Sequence, residues 1–280
     1  MSDNNGTLLF DTQTTSLKRR NLKSRQQRIL DLLFEHGSMS IESLADNFGV
    51  SRMTIHRDAH NLADKGLIDK NHGGVSLKNR ARTEKNIAYR QHRAADLKRE
   101  IIREAVSMVK PGDVIMLDDS TTVAEMLPLL PSLALLMIIT NALGVMQAMA
   151  PFLGIKPICL GDEYNGARNA FFGLVCEQAT RALRANTFFV STSIIADGTV
   201  YQNDQDVVKV KRTMMDIADR SVLLADSTKF QAGGLHRLAQ LQEFDAILTD
   251  KQIDPERLAE IRELGGHCDG LLTVTGLNVK

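Results

Sequence analysis

The chain has 280 residues, 43% apolar and 24% charged, with 34 basic and 34 acidic side chains and a formal net charge of zero. That length accommodates a small domain beside a larger one with a sizeable core, and the composition is that of an ordinary globular protein. No apolar run reaches membrane-spanning length and no apolar targeting segment opens the chain, which excludes a helical membrane protein and leads to the expectation of a cytoplasmic one.

The charge is unevenly spread. Residues 1–82 hold 13 Lys+Arg against 9 Asp+Glu, and the remainder holds 21 against 25. A basic head on an acidic body suits a polyanionic partner. Cys159, Cys176 and Cys268 are odd in number, widely spaced and without a CxxC pair, so free thiols in a reducing compartment are expected. The histidines form no HExxH motif; neither a metal nor a cofactor is expected.

Residues 1–23 read as a disordered basic tail, with Lys18, Arg19, Arg20 and Lys23 clustered at its end. A small domain follows over residues 24–79. Its first helix is predicted to start at Ser24 as N-cap, to bury Ile29, Leu32 and Leu33, and to stop at Gly37. Ser40 caps a second helix with Leu44, Ala45 and Phe48 inward and Gly49 at its end. Only Val50 then separates Gly49 from Ser51, the cap of a third helix running from Arg52 to about Lys65. Two short helices joined by a tight glycine turn are the helix-turn-helix pattern.

In that third helix Ile55, Ala59 and Leu62 share the inward stripe. Arg52, Met53, His56, Arg57 and His60 are left wholly or partly outward. The N-terminal residues of a recognition helix meet base edges, and a capped helix start attracts phosphate. Leu67-Ile68 and Val75-Ser76-Leu77 flank Asn71-His72-Gly73-Gly74 as a strand-turn-strand wing. The candidate DNA-contact set is therefore Ser51, Arg52, Met53, Thr54, His56, Arg57 and His72. Arg57 could read a guanine or anchor a phosphate.

Residues 80–93 are strongly basic and read as a linker. From 94 to 280 short apolar strands alternate with helical segments: 113–117, 136–139, 156–160, 188–193, 222–225 and 246–249. A helix spaced on Leu97, Ile101, Ile102 and Ala105 precedes them, and a further helix is expected after 118–122. This alternation predicts an α/β domain around a mainly parallel sheet. Ligands of such sheets sit beyond the carboxyl ends of the strands. The polar clusters in that place are Asp118, Ser120, Thr121 and Thr122 after the first strand, Asn141 after the second, and Asp226 and Lys229 later. Arg168 and Lys211 add positive charge.

Taken together, Arg28-Ile29-Leu30, Ser43-Leu44-Ala45, Val50-Ser51-x-x-Thr54-Ile55-x-Arg57-Asp58 and His72-Gly73-Gly74 resemble the reading head of the DeoR family of bacterial transcription regulators. Leu117-Asp118-x-x-Thr121-Thr122, Thr140-Asn141, Phe172-Gly173, Lys211-Arg212-x-Met214, Leu224-Ala225-Asp226-Ser227-x-Lys229-Phe230 and Leu248-Thr249-Asp250 resemble its effector domain. The resemblance implies a winged helix-turn-helix followed by a domain similar to ribose-5-phosphate isomerases. It implies a repressor of a carbohydrate operon that binds double-stranded operator DNA as at least a homodimer and senses a phosphorylated sugar or related metabolite. By position, Asp118, Thr121, Thr122, Asn141, Lys211, Asp226 and Lys229 would line the effector site.

This chain departs from the family at His56, where arginine is usual, and at Asp119, where a carboxylate should repel a phosphate. The acidic residue usual four positions before Lys211 is Val207. Two other readings stay open: a ligand-independent DNA-binding protein whose second domain only oligomerises it, and a sugar-phosphate isomerase.

Overall fold

The computed structural model describes residues 24–77, 90, 93–133, 135–264 and 271–274. The tail, most of the linker and Cys268 lie outside these residues.

The small domain comprises α1 (Ser24–His36), β1 (Ser38–Ser40), α2 (Ile41–Phe48), α3 (Arg52–Asp64), β2 (Ile68–Asn71) and β3 (Gly74–Leu77). Ser24 stands inside α1 rather than ahead of it. The other two caps form as expected: Ser40 Oγ accepts the Ser43 N–H at 2.9 Å and Ser51 Oγ that of Thr54 at 3.3 Å. Gly49 closes α2 at φ 60°, a conformation that costs a Cβ-bearing residue energy, which explains the tight turn into α3. The wing gains a strand the sequence did not suggest, since β1 pairs antiparallel with β3 in the order β1-β3-β2. Gly74 permits this close pairing, because a Cβ there would lie 2.7 Å from the Met39 carbonyl oxygen.

Ile29, Leu30, Leu33, Leu44, Ile55, Leu62 and Leu67 form a core closed to solvent. Leu32 and Phe48 are only half-buried at its edge. Asp58 is buried as well, accepting from Arg25 Nε at 2.6 Å and Gln26 Nε2 at 3.0 Å. That pairing locks α3 against α1, and a buried carboxylate needs such donors.

The larger domain is built on α4 (Ala95–Ser107), α5 (Leu143–Met149), α6 (Leu174–Arg181), α7 (Gln205–Ile217) and α8 (Pro255–Leu264) around a parallel sheet. The sheet strands are β4 (Val114–Leu117), β5 (Leu136–Thr140), β6 (Ile155–Cys159), β9 (Thr187–Ser191), β12 (Ser221–Leu224), β14 (Ala246–Thr249) and β15 (Leu271–Val274). Their order is β15-β14-β12-β9-β4-β5-β6, every neighbour pair parallel. The chain thus winds outward from β4 to β6 and returns to the other side of β4 for β9 onward. Ligands of open α/β sheets bind at such a reversal, between β4 and β9 here.

Two antiparallel pieces escape the strand-helix reading: the hairpin β7 (Glu163–Asn165) and β8 (Ala170–Phe172), and the sheet β10 (Ile194–Ala196), β11 (Thr199–Gln202) and β13 (His236–Gln240). The helix expected after 118–122 is also replaced, by short 3-10 helices at Val123–Met126 and Leu130–Ser132. Pro128 and Pro131 account for this, since neither can donate the N–H an α-helix would need there. Among the described residues no helix is long and apolar enough to cross a membrane.

Candidate functional site

On the small domain the α3 start is open to solvent. Ser51, Arg52, Met53, His56 and Arg57 are exposed, Thr54 is half-buried, and His72 is exposed at the wing turn. Met53, at 77% exposure, is a large apolar side chain presented outward beside cations. Ser51 Oγ and Thr54 Oγ1 lie 2.9 Å apart, so the two hydroxyls rest on each other and on the helix start. Arg52 pairs with Glu42 of α2, which leaves Arg57 the cation of this surface with the freer reach. His60 is drawn sideways, 3.0 Å from Lys70 Nζ and 3.4 Å from Asp64. An exposed, capped helix start carrying Arg57 and flanked by a wing has the form that enters a major groove.

In the larger domain a cavity of about 450 Å³ opens at the reversal between β4 and β9. The loops after the two strands, 119–122 and 191–194, form its walls. Asp118 bridges them from beneath: one carboxylate oxygen accepts the Ser120 N–H at 2.8 Å and the other the Ser191 N–H at 2.9 Å. Lys211, from α7, donates to Asp118 at 2.8 Å and to the Ser191 carbonyl at 2.7 Å. Arg168 reaches over from the β7–β8 turn to Asp119 at 3.1 Å and Asp204 at 3.6 Å.

The balance of charge around the cavity is lopsided. Lys211 and Arg168 are matched by Asp118, Asp119 and Asp204. Burial pushes the Asp119 carboxyl up, but Lys211, Arg168 and Arg90 outweigh it and keep it below the ordinary value. Asp119 is therefore a neutralised neighbour and not the repulsive charge expected from sequence. Arg90, Arg93, Lys98 and Lys229 line the same cavity, with Asp119 the carboxylate that acts on Arg90 and Asp226 the one that acts on Lys98 and Lys229.

Burial lowers the pKa of Lys229, and of Arg90, against the pull of Asp226 and Asp119 respectively. Lys98 is pushed down to about 7 by burial and then by Lys229. Its Nζ donates to Thr121 Oγ1 at 3.1 Å and to the Arg90 carbonyl, neither of which carries a charge. Nε and Nη2 of Arg90 are buried and have no hydrogen-bond partner among the described residues. Buried donors without acceptors are rare in folded proteins, and a pair of them on a guanidinium suits the oxygens of an anion.

Of the effector residues expected from sequence, Ser120, Thr121, Thr122, Arg168, Lys211, Asp226 and Lys229 do line this cavity. Asp118 lies under its floor. Asn141 is elsewhere, its amide spent on the Phe171 carbonyl at 2.9 Å to hold β8 beside β5. The sequence reading missed Arg90, Arg93 and Lys98. Lys98 carried a signal: with Ile101, Ile102 and Ala105 it falls on the buried stripe of α4, where a lysine needs a reason. Val207 is buried in the core, so no carboxylate faces the cavity from that position.

Residues 25–81 match the family model of the DeoR-like helix-turn-helix domain, and residues 93–251 that of the DeoR C terminal sensor domain. Among curated proteins the chain is similar to the L-fucose operon activator of Haemophilus influenzae, 30% identical over 240 residues that cover 85% of this chain and 96% of that one. It is similar also to the lactose phosphotransferase system repressor of Lactococcus lactis subsp. lactis, 28% identical over 87% of this chain and 96% of the relative. Among solved structures, ribose 5-phosphate isomerase A of Methanocaldococcus jannaschii superposes with a TM-score of 0.36 at 18% identity, covering 49% of this chain and 55% of that one.

Proposed function

The chain belongs to the DeoR family of transcription regulators, and from that premise we propose that it is a cytoplasmic, sugar-phosphate-controlled repressor of a carbohydrate operon. The α3 start enters the major groove, with Arg57, His56 and Met53 facing base edges and Ser51, Arg52, Thr54 and His72 steadying the phosphates. Symmetric half-sites require two heads, so the working form is a homodimer or higher homo-oligomer. Both a carbohydrate-operon activator and a repressor stand among the relatives; repression follows if the effector-free form is the one that grips DNA.

The observation that carries the sensing half is the cavity wall, lined by six cations and two carboxylates, Asp119 and Asp226. Such a wall prefers an anion, and the hydroxyls of Ser120, Thr121 and Thr122 with the amides of Gln202 and Asn203 suit the hydroxyls of a sugar. Ligand that prefers one arrangement of the protein must change operator affinity by the same factor. Turnover is not part of this reading. Asp118 accepts from three donors and serves as a strut, which leaves it poorly placed as a general base.

A thermal-shift screen of sugar phosphates against the matching free sugars tests the sensing half. Phosphorylated sugars should raise the melting temperature and release the protein from operator DNA selected in vitro. A shift with free sugars alone would replace the phosphate by a neutral effector, and no shift with either would leave the larger domain as an oligomerisation unit. Conversion of a bound sugar phosphate, followed by NMR, would establish an isomerase.

A further inference from the structure

Five of the six cations that line the cavity divide into two sets with different work. Lys211 and Arg168 are tied to Asp118, Asp119 and Asp204 across the reversal of the sheet, so their charge is already answered. Arg90 has Asp119, and Lys98 and Lys229 have Asp226, as their carboxylate neighbours, but none of the three makes a close ion pair among the described residues. Arg90 stands thirteen residues beyond Leu77, the last residue of the wing, and belongs to the stretch that joins the head to the sensor. Its backbone carbonyl accepts from Thr121 Oγ1 at 3.0 Å and from Lys98 Nζ, which pins Arg90 against the loop after β4. Its guanidinium faces the cavity with Nε and Nη2 buried and unbonded among the described residues.

We propose that Arg90 is itself an effector ligand, its free Nε–H and Nη2–H forming the two-pronged clasp of an anion subsite whose other members are Lys98 and Lys229. The proposal rests on the sensing reading above and adds the place where the charged group binds and the way binding reaches the head. Adjacent Nε–H and Nη–H donors match two oxygens of one phosphate or carboxylate, which a lysine cannot do. An anion held there is bonded to the connecting stretch and to the sensor at once. Occupancy therefore fixes the point from which the chain departs toward the DNA-binding head, whereas the empty site leaves a buried guanidinium seeking an acceptor.

The test uses the full chain and inorganic phosphate as probe, by calorimetry in low-salt buffer at pH 7, with Arg90→Met and Arg90→Lys beside the wild type. Phosphate should bind the wild type, at least tenfold more weakly Arg90→Met, and with intermediate affinity Arg90→Lys, which keeps the charge and loses the fork. Ligand-free Arg90→Met should melt at or above the wild-type temperature, because it removes two buried donors that have no hydrogen-bond partner among the described residues. A residue with a purely structural role would lower that temperature, and such a fall would overturn the proposal. Equal phosphate affinity for the wild type and Arg90→Met would overturn it too. If a sugar phosphate from the screen binds wild type and Arg90→Met alike, the sensing reading stands and the Arg90 clasp falls. If neither phosphate nor any sugar phosphate binds the wild type, both fall.

Discussion

The two regions of this molecule that face anions do so under opposite conditions. Around α3 the cations stand in water, are screened by salt and can be changed without disturbing the core. Around the cavity Lys98, Arg168 and Lys211 are buried and bonded to the loops, the last two paired with carboxylates. The same charge type thus does interchangeable work in one place and structural work in the other. In the head, a charge removed should cost binding alone. In the sensor, it should cost or restore folding as well.

The sharpest break of that contrast is Lys211→Ala. It leaves Asp118 without its buried counter-charge and removes the donor to Ser191, so folding stability should fall by about 3–5 kcal/mol. Urea denaturation reads this, and a loss under about 1 kcal/mol would mean the pair is far better solvated than its burial implies.

Arg57→Ala should do the reverse: stability unchanged, affinity for selected operator DNA lower by about 1–3 kcal/mol if the side chain reads a base. If it holds a phosphate, affinity for all DNA should drop together and the salt dependence should flatten. Anisotropy titrations on specific and unrelated duplexes at two salt concentrations separate the cases. Unchanged binding to both would show that α3 is not the reading element.

A third measurement follows from Lys98, whose folded pKa of about 7 lies below the 10.5 of an ordinary lysine. Between those values the unfolded chain binds the extra proton. Ligand-free stability should therefore rise with pH above 7, by at most about 1.4 kcal/mol per pH unit from this group. Lys229, Asp226, Glu125 and Arg90 surround it and set the baseline. Lys98→Met should flatten the rise seen in urea melts at pH 7, 8 and 9. Anion affinity should move the opposite way and weaken as pH climbs through 7, since a bound phosphate favours the ammonium.

The smallest effect is expected from Ser51→Ala. It removes the hydroxyl that caps α3 and should lower head stability by about 1 kcal/mol while leaving effector binding unchanged. Circular dichroism melts of the full chain, with calorimetry on the sensor ligand, check both halves.

How much could be read in advance follows the same division. The helix-turn-helix was legible because its signals are local: Ser40, Gly49 and Ser51 each fix the backbone within three residues of themselves. The parallel strands were legible for the same reason, as short apolar runs. The antiparallel piece β10-β11-β13 was not, because it joins β11 to a strand more than thirty residues away. The 3-10 helices at Val123–Met126 and Leu130–Ser132 were foreseeable from Pro128 and Pro131, which the periodicity of their apolar neighbours masked.

The cavity was half legible. Ser120, Thr121, Thr122, Asp226 and Lys229 announce themselves by following strands. Arg90 and Arg93 look like linker charge until the fold brings them against the loop after β4, and Asp119 looks hostile until Arg168 and Lys211 are seen beside it. Charge balance at a buried site is a sum over distant segments, and no window of sequence contains it.

The aspartate strut beneath the cavity has one more consequence. The two halves of the sheet meet along a single short ladder, Ile115 to Thr187, Met116 to Phe188 and Leu117 to Phe189, and Asp118 spans the gap just past its end. The width of the crevice is thereby a matter of covalent length, that of one aspartate side chain, and less of how tightly the surrounding helices happen to press.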